Sequence, residues 1–200
     1  MPPDKGLLLA IYSFGGPALD RIMGFLANDY FIPLVLFLFL VGLWFWEKES
    51  VSRKEDQWTV ILSAISLGIA QLTVLILNSV VGFDPWPRPF ESLPQVNPED
   101  VFFYKPWDPS FPSNAAAIGS VLATSVWLRR RRPGYMMHAA SFLWAFSRVY
   151  VGVHYPLDIL GGWAIGVGVS YLIYFLSPFL RKGLSPVVKF LAKLKLAENP

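Results

Sequence analysis

Five long apolar stretches bounded by polar or charged residues set the pattern of this chain: Tyr30–Trp46, Trp58–Val81, Ala115–Leu128, Gly134–Val153 and Leu157–Leu180. A helix needs about 20 apolar residues to cross a bilayer. These runs, the third completed from Ser113, predict an all-α, polytopic transmembrane helix bundle of five spans. Ahead of them, Leu7–Ala27 reads as one or two short interfacial helices broken at Gly15-Gly16-Pro17, with a sixth span there as the alternative. That stretch lacks the basic flank and cleavage site of a signal peptide. Near the end, Leu184–Leu196 puts Val187, Val188, Leu191 and Leu194 on one helical face and Lys189 and Lys193 on another. This is the pattern of an amphipathic helix on an anionic leaflet. The expected organisation is an interfacial segment over 1–29, a membrane core over 30–180 and a basic cytoplasmic tail over 181–200 with a capping outer loop between the second and third spans.

Composition agrees with a membrane setting. Charged residues make up 16% of the chain, below the roughly 25% of soluble domains. There are no cysteines, so disulfides and thiolate metal sites are excluded. Basic residues are unevenly placed. Lys48, Arg53, Lys54, Arg129–Arg132, Arg181, Lys182, Lys189, Lys193 and Lys195 account for twelve of the seventeen, all on one side of a five-span bundle. The positive-inside rule makes that side cytoplasmic. The four-arginine run then reads as a topological anchor, with anionic-lipid binding as the lesser reading.

The opposite, outer face carries the candidate chemistry. Residues 82–112 form a long connection rich in Pro, Trp and Phe, stiff enough to act as a preformed cap. Ser113 follows at a helix start. A Ser N-cap is commonplace, yet the amides of a helix N-terminus also bind phosphate. The run Ser147–Asp158 then sets Arg148, His154 and Asp158 between two apolar segments. Such residues can simply snorkel to water. A carboxylate four residues after a histidine can also hold one ring nitrogen while the other reacts. No carboxylate cluster suggests a metal, since Asp84, Glu91, Asp100 and Asp108 are scattered.

Together these segments resemble the signature of the type-2 phosphatidic acid phosphatase superfamily. Ser147-Arg148, five residues, His154, three residues and Asp158 match its third block in full. Arg88-Pro89 matches the end of the first block and Pro112-Ser113 the start of the second, over roughly residues 30–180. The local form Trp86-Pro87-Arg88-Pro89-Phe90 looks closest to the bacterial undecaprenyl diphosphate phosphatases. The resemblance implies a cofactor-free mechanism with His154 as nucleophile and Asp158 as its orienting acid. Arg88, Arg148, Ser113 and Asn114 would hold the phosphate. It further implies a lipid phosphate as substrate, membrane lipids as the surroundings, no nucleic acid and no obligate protein partner. The expected location is the bacterial inner membrane, with the site facing the periplasm and a role in cell-envelope biogenesis.

Two positions depart from the pattern. Val81 stands where the family lysine falls, and Asn78 or Lys105 are the residues available as substitute substrate contacts. Ala115 stands where the family has a histidine that protonates the leaving oxygen. Loss of a general acid typically costs about 10²–10⁴-fold in rate. The chain is therefore expected to be impaired, whether Ala115 is natural or introduced; an introduced replacement is the favoured expectation, because the other phosphate-handling elements are intact. Undecaprenyl diphosphate is the first expected substrate. Lipid A 1-phosphate, phosphatidylglycerol phosphate and phosphatidate are alternatives, and a non-catalytic lipid-phosphate binder or transporter is the other class.

Overall fold

A computed structural model describes residues 3–79, 87–101 and 103–199. Among the described residues the chain is all helical. Two short helices, α1 (Lys5–Ser13) and α2 (Pro17–Leu26), precede α3 (Phe31–Trp46) and α4 (Ser50–Ser79). A single turn, α5 (Pro89–Ser92), interrupts the long connection. The bundle is completed by α6 (Asn114–Arg129), α7 (Arg131–Tyr150) and α8 (Pro156–Lys193).

The break between α1 and α2 falls where the sequence places it, because Pro17 occupies the first position of α2 and cannot continue α1. By length and apolarity α4 and α8 can each cross a membrane. Helices α2 and α3 qualify only as a pair bent by 46°. Large apolar side chains such as Phe37, Leu72, Leu160 and Phe175 point outward. A water-soluble protein rarely exposes so much continuous apolar surface.

Helix α6 is the centre of the bundle and touches α3, α4, α7 and α8. Its residues Ala115, Ala116, Ala117, Gly119, Ser120 and Ala123 are small and buried, which lets neighbouring backbones approach closely. The approach is tightest against α8. A Cβ on Gly162 would run into the Ser113 carbonyl, and one on Gly166 into the Ser120 hydroxyl. The first turns of α6 and α8 are also joined by a hydrogen bond from Ser113 N to Asp158 O at 3.0 Å. This contact between helix starts is what builds the site.

Charges lie at the opposite end of the bundle. Arg130 donates to both carboxylate oxygens of the buried Asp56, at 2.8 and 2.7 Å, and to Glu47 at 2.5 Å. Arg181 and Glu55 pair through two bonds of 2.7 and 2.9 Å. Arg131 stacks 3.5 Å over the Trp127 ring. Two members of the four-arginine run thus hold helices together, a role that a count of basic residues does not reveal. Helix α8 also runs on through Pro178 and Pro186, so the tail continues the last helix. Past its end the chain turns back. Trp44 Nε1 donates to Leu196 O at 2.8 Å, and Arg53 pairs with Glu198 at 2.9 Å.

Candidate functional site

The turn between α7 and α8 presents His154. Gly152 sits there at φ 76°, and a Cβ would strike Val96. A side chain is thus disfavoured both by conformation and by space. Val153 N and His154 N return to Arg148 O at 3.1 and 3.4 Å, tying the turn to the last turn of α7. Helix α8 then begins at Pro156, and Asp158 in its first turn accepts from Tyr155 N at 2.8 Å. Folding Asp158 back in this way brings its Oδ2 to 3.5 Å from His154 Nδ1. That is the long edge of hydrogen-bond distance, as is common for catalytic contacts before substrate arrives.

Both residues are buried, His154 at 2% and Asp158 at 0% exposure. Burial pushes the His154 imidazole down to about 4; Asp158 opposes this shift, while the Arg88 and Arg148 charges reinforce it. The ring is therefore neutral near pH 7. A proton on Nδ1, the ring nitrogen that faces Asp158, leaves the lone pair of Nε2 for chemistry.

A pocket of about 300 Å³ opens beside the histidine, walled by Asn114, Ala115, Trp144, Arg148, His154 and Pro33 among others. Ala115 occupies the wall in the first turn of α6. Arg148 is 5% exposed and donates through Nη1 to Ala27 O at 3.1 Å and to Asp29 Oδ1 at 2.6 Å. Its buried Nε has no protein partner, so the guanidinium retains donors for an anion.

The remaining predicted residues stand behind or outside this pocket. Arg88 is 2% exposed and donates to Asp108 O, Val153 O, Pro109 O and Asp108 Oδ1 at 2.6, 2.8, 3.2 and 2.9 Å. It fastens the capping loop to the residue before His154 and is not among the pocket's walls. Ser113 is fully buried as the N-cap of α6, its Oγ accepting from Ala116 N at 3.4 Å. Asn78 and Lys105 do not line the pocket, and Lys105 pairs with Glu99 at 3.5 Å. Val81 lies outside the described residues.

Four residues complete the arrangement, three that sequence reasoning passed over and Asp108, which it set aside as one of several scattered acids. Ser110 donates to Asp158 Oδ2 at 2.6 Å and fixes the carboxylate. Asp29 accepts from Arg148 and, at 2.6 Å, from Tyr104 Oη. Asp108 pairs with Arg88. None falls in a motif; the one available signal for Asp108 and Ser110 is their place in the stiff loop just ahead of Ser113. The groups brought together are an imidazole neutral near pH 7, a carboxylate beside it and a guanidinium with an unpartnered Nε, a set of side chains of the kind that nucleophilic phosphoryl transfer uses.

The sequence profile of the PAP2 superfamily matches residues 57–182. The undecaprenyl-diphosphatase BcrC of Bacillus subtilis is 29% identical over 184 residues, covering 91% of this chain and 88% of that protein. The crystal structure of Aquifex aeolicus LpxE aligns with a TM-score of 0.67 at 25% identity, over 87% of this chain and 96% of that one. A PAP2-type phosphatidylglycerolphosphate phosphatase from Bacillus subtilis shares the fold with a TM-score of 0.59 at 23% identity, over 88% of this chain and 84% of its own.

Proposed function

The chain belongs to the PAP2 superfamily, and on that premise we propose that it is a membrane lipid phosphatase that removes the terminal phosphate of a polyprenyl diphosphate, with undecaprenyl diphosphate as the preferred substrate. The observation that carries this reading is the pairing of an intact nucleophile, His154 with Asp158, with an alanine at residue 115. His154 Nε2 attacks the terminal phosphorus, an N–P bond forms, and the bond from phosphorus to the bridging oxygen breaks. Asp158 stabilises the imidazolium as its positive charge develops. Arg148, Asn114 and the first amides of α6 hold the equatorial oxygens, and Arg88 sets the turn. Water then cleaves the phosphohistidine, releasing phosphate and restoring the neutral ring. The leaving group decides what the missing acid costs. A lipid monoester expels an alkoxide, which needs a proton. A diphosphate expels a phosphate monoester, which leaves as a stable anion and needs little help.

Phosphate release from a panel of lipids in bilayer discs tests this. Release is expected from undecaprenyl diphosphate and far slower from phosphatidate, phosphatidylglycerol phosphate and lipid A 1-phosphate. Binding of every panel member with release from none would favour a lipid-phosphate binding or transport protein.

The five long helices are proposed to be five spans, with α1 and α2 at the outer interface. The end of the bundle holding Arg130, Arg181 and the tail is proposed to face the cytoplasm of a bacterial inner membrane, because it carries most of the basic residues. The chain has no cysteine, so single introduced cysteines report sidedness cleanly. An impermeant reagent on intact cells should label residue 109 and not residue 131; the reverse pattern overturns the orientation.

A further inference from the structure

A second polar cavity lies at the end of the bundle away from His154. It holds about 330 Å³ between α4, α6 and α8. Asn114 in the wall of the outer pocket opens α6, and Arg129 in the wall of this one closes it. At about 1.5 Å per residue the two stand roughly 22 Å apart along that helix.

Charges stand at the mouth. Arg181 Nη1 and Nη2 donate to the two carboxylate oxygens of Glu55 at 2.7 and 2.9 Å, so each satisfies the other. Arg129 Nε stands 4.0 Å from Asp56 Oδ1, beyond hydrogen-bond length. Both Asp56 oxygens already accept from Arg130. With two guanidiniums to one carboxylate in its wall, the cavity carries an excess of positive charge, and Arg129 has donors to offer an anion.

The interior offers the opposite. Thr59 and Ser66 of α4 donate to the carbonyls of Glu55 and Leu62, both at 2.9 Å. Ser170 of α8 donates to Gly166 O at 2.8 Å, and Ser125 of α6 donates to Ser170 Oγ at 3.3 Å. Each hydroxyl has spent its proton on the protein and retains oxygen lone pairs. One such hydroxyl, bonded to the preceding turn, is ordinary in a helix. Here four of them, drawn from three helices, line one cavity. An occupant that uses them must bring donors. Thr59 lies one turn from Glu55 and Ser125 one turn from Arg129, about 6 Å along each helix. That is the reach from a phosphodiester to the hydroxyls of a three-carbon polyol.

The cavity also opens toward lipid. Tyr174 in its wall is exposed, as are Phe175 and Phe179 beside it on α8. Helix α8 is long and apolar enough to cross a membrane, so this face is one that lipid tails cover.

We propose that this cavity is a second, non-catalytic site for an anionic phospholipid whose headgroup is a polyol. The phosphodiester pairs with Arg129, and the headgroup hydroxyls donate to Thr59, Ser125 and Ser170. Phosphatidate brings the charge with fewer donors. An ethanolamine headgroup brings donors together with a positive charge, which the arginines repel. The site does not depend on what His154 hydrolyses.

Native mass spectrometry tests this, with the purified protein offered equal amounts of phosphatidylglycerol, phosphatidate and phosphatidylethanolamine carrying the same tails. Phosphatidylglycerol should be retained about tenfold over the others, the worth of two hydrogen bonds. Arg129→Gln should lower its retention about tenfold, as loss of a charge-assisted contact does. Ser125→Ala combined with Ser170→Ala should erase its advantage over phosphatidate and leave phosphatidate unchanged. Phosphatidate held in the outer pocket is recognised by its indifference to Arg129. Alanine is the best helix former, so the double variant should fold. The unsubstituted protein supplies an arm that needs no variant: phosphatidylglycerol should raise its unfolding midpoint more than phosphatidylethanolamine does. Equal retention of all three lipids, or retention indifferent to Arg129 and the two serines, overturns the site. Preference for phosphatidylethanolamine overturns the polyol headgroup. Displacement of phosphatidylglycerol by dissolved glycerol phosphate at the same concentration overturns the lipid assignment in favour of a dissolved polyol phosphate.

Discussion

Replacing His154 by glutamine should lower turnover by about 10⁴-fold or more, the scale seen when a covalent nucleophile is removed. Glutamine is close in size to histidine, and the contact of the imidazole with Asp158 is a long one, 3.5 Å from Nδ1. Protein yield and helicity should therefore be unchanged. An acid-labile phosphoryl label, trapped from substrate carrying labelled terminal phosphate, should appear on the unsubstituted protein and be absent from the variant. The pH profile adds a signature. The attacking form is the neutral imidazole, and burial moves its protonation down to about 4. A lowered value keeps the neutral form available as pH falls through 6.5, so the acid limb of kcat/KM should lie near 4. Activity within tenfold of the original in His154→Gln would remove histidine from the mechanism.

Ala115→His should raise turnover of lipid monoesters by about 10²–10⁴-fold, the contribution of a positioned general acid. Residue 115 is on the pocket wall and only 5% exposed, in a cavity of about 300 Å³ that opens toward the phosphate site. An imidazole there would face the same cavity as His154. Binding should change less than rate, because a proton passed to a leaving group acts in the transition state. Diphosphates should gain little, since their leaving group is already a stable anion, and activated aryl phosphates should behave likewise. The original protein and Ala115→His would thus differ most on the substrates with the most basic leaving oxygen. No change on any lipid phosphate would sink the leaving-group argument and the substrate preference built on it.

Much of this was readable from residues alone, for physical reasons. Long apolar runs report helices faithfully because a bilayer offers no other way to satisfy the backbone. The break at Gly15-Gly16-Pro17 and the start of α8 at Pro156 follow from local backbone chemistry. The His154–Asp158 contact is likewise local, four residues apart across a helix start. What stayed hidden depends on distant partners. Asp29 meets Arg148 across 119 residues, and no periodicity or turn residue announces it. Ser110 meets Asp158 across 48 residues from a loop whose path composition does not fix. Arg88 shows the opposite difficulty. An arginine in a phosphatase-like block reads as a phosphate clamp, yet its surroundings are carbonyl oxygens of the capping loop and of Val153. A sequence displays a guanidinium and conceals what its donors already hold. The length of α8 was hidden for a related reason: Pro178 and Pro186 argue for a break, but each removes only one donor while the rest of the helix persists.

The carboxylates around the site carry a last implication, about how an anion reaches it. Each arginine near His154 has its own acidic partner, Arg88 with Asp108 and Arg148 with Asp29, and Asp158 adds one more negative charge behind the ring. Seen from a Debye length away, roughly 8 Å at physiological salt, this mouth is no beacon for anions. A dissolved phosphate drifting past feels no pull, and only one pressed against the guanidinium can displace the resident carboxylate. Such a mouth suits a ligand already confined to two dimensions, which arrives by sliding within the sheet of lipids and needs no guidance from the water above.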